Sequence, residues 1–128
     1  AREEPPGLPE GELLLDRAVA TRDDQFLLYA EGSGDKFPIH IDDGFARSVG
    51  LPGVIMHGMC SLALSLRPVV AAAGGGRLSR AACRFGSIAL PGSPLSVRAV
   101  RDEAGLVRFE ARDPEGKPVI LQGELGLA

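Results

Sequence analysis

The chain predicts an α+β domain in which helices come first and an antiparallel sheet follows. Three observations predict it. Residues 54–73 form a long apolar stretch, interrupted by His57, Ser61, Ser65, Arg67 and Pro68, which suits a buried core helix better than a membrane span. From Arg77 onward four segments alternate apolar and polar residues in part, with turn signals between them. Shorter helix signals precede the apolar stretch. Helices followed by a meander of strands make an α+β arrangement rather than alternating βαβ units.

The elements follow in order. Residues 1–11 are polar and rich in proline, and read as a linker or N-terminal arm; residues 12–128 read as one domain. Residues 12–20 suit a short strand. Thr21 with Asp23 and Asp24 looks like a helix start, the hydroxyl capping free N–H groups and the acids suiting the helix dipole. Phe26, Leu27 and Ala30 then fall on one helical face, and Gly32-Ser33-Gly34 ends that helix. A loop runs from Asp35 to His40. A second short helix covers residues 44–49, with Asp42 and Asp43 as candidate caps. The apolar helix begins near His57 and is apolar on nearly all sides, as for a helix wrapped by a sheet. Pro68 should kink or end it, and Gly74-Gly75-Gly76 closes the segment. The strands are expected over residues 78–90, 95–102, 107–112 and 119–127.

Composition narrows the function. The 128 residues suit one domain, and 45% hydrophobic with 24% charged residues is enough for a real core. A net charge of −3 argues against a nucleic-acid binder, which needs a basic face. A small anionic ligand needs only a few local arginines, and Arg67, Arg77, Arg80 and Arg84 form such a group, or else ordinary surface charge. Cys60 and Cys83 sit in apolar surroundings without ligand spacing and read as buried structural thiols, fitting a reducing cytoplasm. Two histidines and scattered carboxylates lack the spacing of a metal site. Ser61 and Ser65 lie in no nucleophile elbow.

The chemistry-bearing residues cluster in two loops. Asp35 precedes His40 by five residues across a turn containing Pro38. No single helix face carries both, but a bent loop can bring carboxylate and imidazole over one pocket for general acid–base work. The alternative is that both only cap or hydrogen-bond their turn. His57-Gly58-Met59 starts the apolar helix, where free N–H groups and the dipole favour negative charge. Gly58 lets a ligand oxygen approach the backbone, or lets the helix pack tightly; the residues alone leave both open.

The run Ser33-Gly34-Asp35-Lys36-Phe37-Pro38-Ile39-His40-Ile41-Asp42 resembles the hydratase motif of MaoC-like proteins, usually S-G-D-x-N-P-I/L-H-x-D. Phe45-Ala46, Gly50 and Ile55-Met56-His57-Gly58-Met59 follow at the family's distances. The resemblance implies a hotdog fold, a long central helix wrapped by an antiparallel sheet. It also implies an (R)-specific enoyl-thioester hydratase or 3-hydroxyacyl-thioester dehydratase. Asp35 and His40 would be the catalytic pair, Gly58 would bind the thioester carbonyl, and His57, Phe37 and Met59 would lie against the substrate. The substrate would be a CoA or carrier-protein thioester, with no further cofactor. Phe37 departs from the family, standing where the motif has Asn. It either reshapes the pocket or marks a silent site, which leaves a second reading: a catalytically silent hotdog subunit completing a partner's site. A hotdog thioesterase is a third. Residues 5–34 resemble the lead-in to the second hotdog of double-hotdog hydratases. One hotdog exposes a sheet edge and an incomplete cleft, so a homodimer or pairing with another hotdog domain is expected.

Overall fold

The computed structural model describes residues 6–128. Strand β1 (Gly11–Val19) is followed by helices α1 (Gln25–Ser33), α2 (Asp43–Ser48) and α3 (Gly58–Ala72). Strands β2 (Leu78–Phe85), β3 (Leu95–Asp102), β4 (Val107–Arg112) and β5 (Pro118–Leu127) complete the chain. The strands form one sheet in the order β1-β3-β4-β5-β2, every neighbouring pair antiparallel. Helix α3 lies across it against β1, β3 and β5. This is the hotdog arrangement. Of the arm expected over residues 1–11, residues 1–5 lie outside the described residues. Residues 6–10 form neither helix nor strand, and Gly11 already pairs with Asp102 in the sheet.

The core is written most plainly in β3 and β4. Leu95, Val97 and Ala99 are buried while Ser96 and Arg98 between them are exposed. Val107, Phe109 and Ala111 repeat that period of two on β4. Phe109, Leu95, Ile120, Leu125 and Val97 meet Val69 of α3 in the fully buried centre. Burying a side chain such as Phe109 contributes about 1.5–3 kcal/mol. Strand β5 breaks the alternation because Gln122 turns back at φ 50°, shifting the register against both neighbours. Gly123 follows because a Cβ there would meet the Phe109 carbonyl oxygen at 2.6 Å.

Several expectations are corrected. Thr21 does not cap α1: its Oγ1 donates to the Ser93 carbonyl at 2.8 Å, tying the lead-in of α1 to the β2–β3 connection. Asp24 occupies the N-cap without a side-chain cap bond, its carboxylate turned instead to Arg22 at 2.8 Å. That exposed pair holds the Asp24 carboxyl below its ordinary range. On α1 Ala30 is buried and Phe26 and Tyr29 half-buried, whereas Leu27 is exposed. Asp42 does cap α2, accepting from the Phe45 N–H; Asp43 instead accepts from the Val54 N–H across the next loop. The strand expected over residues 78–90 ends at Phe85. Past it the Gly86 and Ser87 N–H groups still donate to the Val119 and Pro118 carbonyls of β5, but the regular strand does not continue.

Helix α3 is not apolar all round. Cys60, Ser61, Leu62, Ser65 and Val69 are buried, and Met59, Ala63, Arg67 and Ala71 line an exposed strip. Pro68 does not end the helix, which runs on to Ala72 despite the N–H it lacks. At 15 residues α3 is the longest helix, and no described helix is long and apolar enough to cross a membrane. Cys60 and Cys83 are free, and burial pushes both thiols up from their ordinary range.

Candidate active site

The loop between α1 and α2 is shaped by a chain of short-range bonds. Gly34 closes α1 in the left-handed conformation (φ 77°), its N–H donating to the Ala30 carbonyl. The Asp35 N–H donates to Ser33 Oγ at 3.1 Å, and Asp35 Oδ1 accepts from the Phe37 N–H at 3.2 Å. One carboxylate oxygen is thereby aimed by the backbone. Pro38 then opens a single 3-10 turn, Pro38–His40, where its missing N–H costs nothing. The turn delivers His40 beside the segment before α3. There the Ile55 N–H donates to the Ile39 carbonyl at 3.1 Å. His40 Nδ1 lies 2.8 Å from the Ile55 carbonyl oxygen. A carbonyl only accepts, so Nδ1 carries the proton and, in the neutral ring, Nε2 keeps the basic lone pair.

His57 joins both residues from beneath. It precedes the first turn of α3 and is 3% exposed. Its Nε2 donates to the Asp35 carbonyl at 2.8 Å and lies 3.9 Å from Asp35 Oδ2. Its ring stacks on that of His40, centroids 3.9 Å apart and planes at 18°. Tyr29 of α1 packs on it at 4.6 Å. Nδ1 of His57 is buried with no hydrogen-bond partner among the described residues. The carboxylate itself is open to solvent, the Asp35 side chain being 54% exposed. The site thus pairs an accessible acid and a half-buried imidazole over a buried aromatic floor.

Atoms of Asp35, His40 and His57 suited to bind a proton or an ion lie within 4.8 Å of one another. A gap of that width admits one water hydrogen-bonded to both an oxygen and a nitrogen. Coordination of a metal fits less well. Stacked imidazoles direct their in-plane lone pairs side by side, and the His57 Nε2 proton is committed to a carbonyl. Acid–base work is what this geometry suits.

Three of the sequence-expected residues meet. Asp35, His40 and His57 form the cluster; Gly58, next in sequence, opens α3. The first helical bonds are those of Cys60 and Ser61 to the His57 carbonyl, so the Gly58 and Met59 N–H groups precede them. Phe37 and Met59 are more than half exposed at 56% and 57% and pack into no core. Two contributors escaped the sequence reading. Tyr29 is one, the only tyrosine of the chain. Phe85 is the other: a Cβ on Gly58 would meet its ring at 3.1 Å, so the end of β2 roofs the start of α3.

A family model described as MaoC like domain matches residues 6–119. The chain belongs to the MaoC-like family. This MaoC-like domain is 37% identical to 3-hydroxyacyl-thioester dehydratase Y of Mycobacterium tuberculosis over 118 residues, 85% of this chain and 40% of that protein. It is 31% identical to the enoyl-CoA hydratase ChsH3 of the same organism, over 90% of this chain and 41% of that protein. Among solved structures, the MaoC-like dehydratase from Phytophthora capsici superposes with a TM-score of 0.85 at 29% identity. That match covers 99% of this chain and 46% of the other. The chain thus spans less than half the length of these relatives.

Proposed function

We propose that this domain adds water to, or removes it from, the α,β double bond of an acyl thioester, with Asp35 and His40 as the reacting pair. The observation that carries this is the convergence of Asp35, His40 and His57 in one cluster, with an atom of each within 4.8 Å of the others, next to the helix start at Gly58. In hydration, water held between the Asp35 carboxylate and His40 Nε2 gives up a proton to the pair. Its oxygen bonds to the β carbon, and the π electrons shift onto the thioester carbonyl oxygen. The Gly58 N–H and the α3 dipole stabilise that oxyanion. The proton returns to the α carbon from the same face, and the net change is one water added. Dehydration runs the steps backwards. The scheme consumes only substrate and water and calls for no cofactor. The names of the relatives, a thioester dehydratase and an enoyl-CoA hydratase, support the substrate class.

The silent-subunit reading rests on Phe37. The hydrogen bonds favour an active site, because Asp35 is aimed by the backbone N–H of residue 37, which Asn and Phe both possess. The ring changes the surface beside the pair rather than the pair itself. Pairing with a second hotdog, identical or not, fits an edge strand β2 exposed along nearly its whole length. The free thiols of Cys60 and Cys83 support a reducing, cytoplasmic setting.

The test is loss of enoyl-thioester absorbance when the protein meets crotonyl-CoA and longer enoyl-CoAs. Loss that vanishes in Asp35→Asn supports the assignment. Release of free CoA instead points to a thioesterase. No reaction alone, but activation of a co-expressed hotdog chain, points to the silent subunit.

A further inference from the structure

His40 is held at one atom and one face. Its Nδ1 donates to the Ile55 carbonyl at 2.8 Å, which fixes that atom but leaves the ring free to tilt about the bond. The tilt decides where the basic Nε2 points. What stops it is the flat contact with His57, centroids 3.9 Å apart and planes at 18°. His57 poses the same problem one layer deeper. Its Nε2 donates to the Asp35 carbonyl at 2.8 Å, while its buried Nδ1 has no partner among the described residues. A buried nitrogen without a partner is costly, so a histidine belongs there for what its other nitrogen and its face do. With one bond fixing one atom, the plane of His57 needs a second contact.

Tyr29 supplies that contact, its ring tilted at 50° to His57 with centroids 4.6 Å apart. Tyr29 is itself anchored, being half-buried and packed against the hydrophobic core. It stands four residues, about one helical turn, before Ser33, whose Oγ accepts from the Asp35 N–H. The last turn of α1 therefore bears on both members of the reacting pair, on Asp35 through Ser33 and on His40 through His57. Three rings from three elements form one column from the core to the pocket. The column suits the chemistry as well as the geometry. An imidazole that takes a proton becomes a cation, and an aromatic face within about 6 Å favours a cation.

We propose that Tyr29 is a positioning residue for the reaction: it sets the plane of His57, and through that ring the aim of His40 Nε2. The assignment rests on the hydratase reading for the role of His40. The contact is ring on ring, so the aromatic face of Tyr29 does the positioning and its hydroxyl does not.

Long-range proton–nitrogen NMR of the imidazoles tests it without requiring turnover. The chain has 2 histidines, so His57→Phe suffices to assign both rings. At neutral pH the parent should show His40 protonated on Nδ1 and His57 on Nε2. Tyr29→Leu removes the ring and keeps an apolar side chain. His57 should then show a mixture of tautomers, and the His40 ring protons should shift as the stack loosens. Tyr29→Phe should keep the parent pattern. In turnover of crotonyl-CoA, Tyr29→Leu should lower kcat about tenfold with KM little changed, less than the roughly 10²-fold of a full 1 Å misplacement because both hydrogen bonds remain. Tyr29→Phe should rescue kcat. In a His57→Ala background Tyr29→Leu should lower kcat no further, since the ring through which it acts is gone. Thermal melts establish the folded fraction of each variant, and rates are taken per folded molecule. Imidazole signals indifferent to Tyr29→Leu, a parent kcat in that variant, a rise in KM alone, or losses that multiply in the double variant would each overturn the assignment. Imidazole signals that follow Tyr29 in a chain that hydrates no enoyl thioester would instead sink the hydratase reading and leave the column standing.

Discussion

Strands β3 and β4 and the segment from Ser33 to Gly58 hold their residues in place by opposite means. In the strands, alternate side chains are buried, and Leu95, Val97 and Phe109 are positioned by packing. In the segment, most residues are exposed, and position comes from bonds to backbone: Asp35 to Phe37, His40 to Ile55, His57 to Asp35. Packing is non-directional and proportional to area, whereas a hydrogen bond fixes an atom and a tautomer. The first region therefore stores stability. The second stores geometry, and changes there should register in activity before they register in melting.

The largest separation of the two effects is expected at the pair. Asp35→Asn and His40→Ala should each lower kcat by about 10²–10⁴-fold, as for loss of a general acid or base. Both side chains are at least partly open, so denaturant midpoints should shift by less than about 1 kcal/mol equivalent. Phe109→Ala is the mirror image: about 3–5 kcal/mol of stability lost in urea unfolding. Folded molecules of that variant should still turn over at the parent rate per active site.

His57 lies where the two regimes meet, buried like a core residue and bonded like a loop residue. His57→Phe keeps the stack on His40 but removes the donor to the Asp35 carbonyl. The carboxylate is then free to drift, and a misplacement of about 1 Å costs on the order of 10²-fold in rate. Steady-state kinetics should show the loss in kcat, with KM little changed. If His57→Phe lost stability but not rate per folded molecule, the ring would be core and nothing more.

The smallest effect is expected at Phe37. Phe37→Asn leaves the N–H that orients Asp35 in place, and at an exposed position should change stability by no more than about 0.5 kcal/mol. The rate with crotonyl-CoA should remain of the same order, while preference among longer acyl chains shifts. A large gain in rate with every substrate would show that the ring obstructs the pair.

The same division explains what the sequence discloses. Asp35, Pro38 and His40 sit within six residues, so their turn is a local matter that motif and spacing express. Gly58 is legible because it opens a long apolar helix. The alternation in β3 and β4 is likewise local. Other features depend on distant partners. Tyr29 and Phe85 reach the site only because α1 and the end of β2 close over the start of α3. Thr21 resembles a cap by its neighbours, yet the Ser93 carbonyl is the partner that folding brings to it. The irregularity of β5 comes from the left-handed turn at Gln122, a conformation that glutamine gives no reason to expect.

The central claim, that one pair on one side of the substrate performs both proton transfers, is tested most directly by hydrating crotonyl-CoA in D₂O and analysing the product. The account predicts 3-hydroxybutyryl-CoA carrying a single deuterium at the α carbon, on the same face as the new hydroxyl, and none formed by Asp35→Asn. Deuterium on the face opposite the hydroxyl would contradict it.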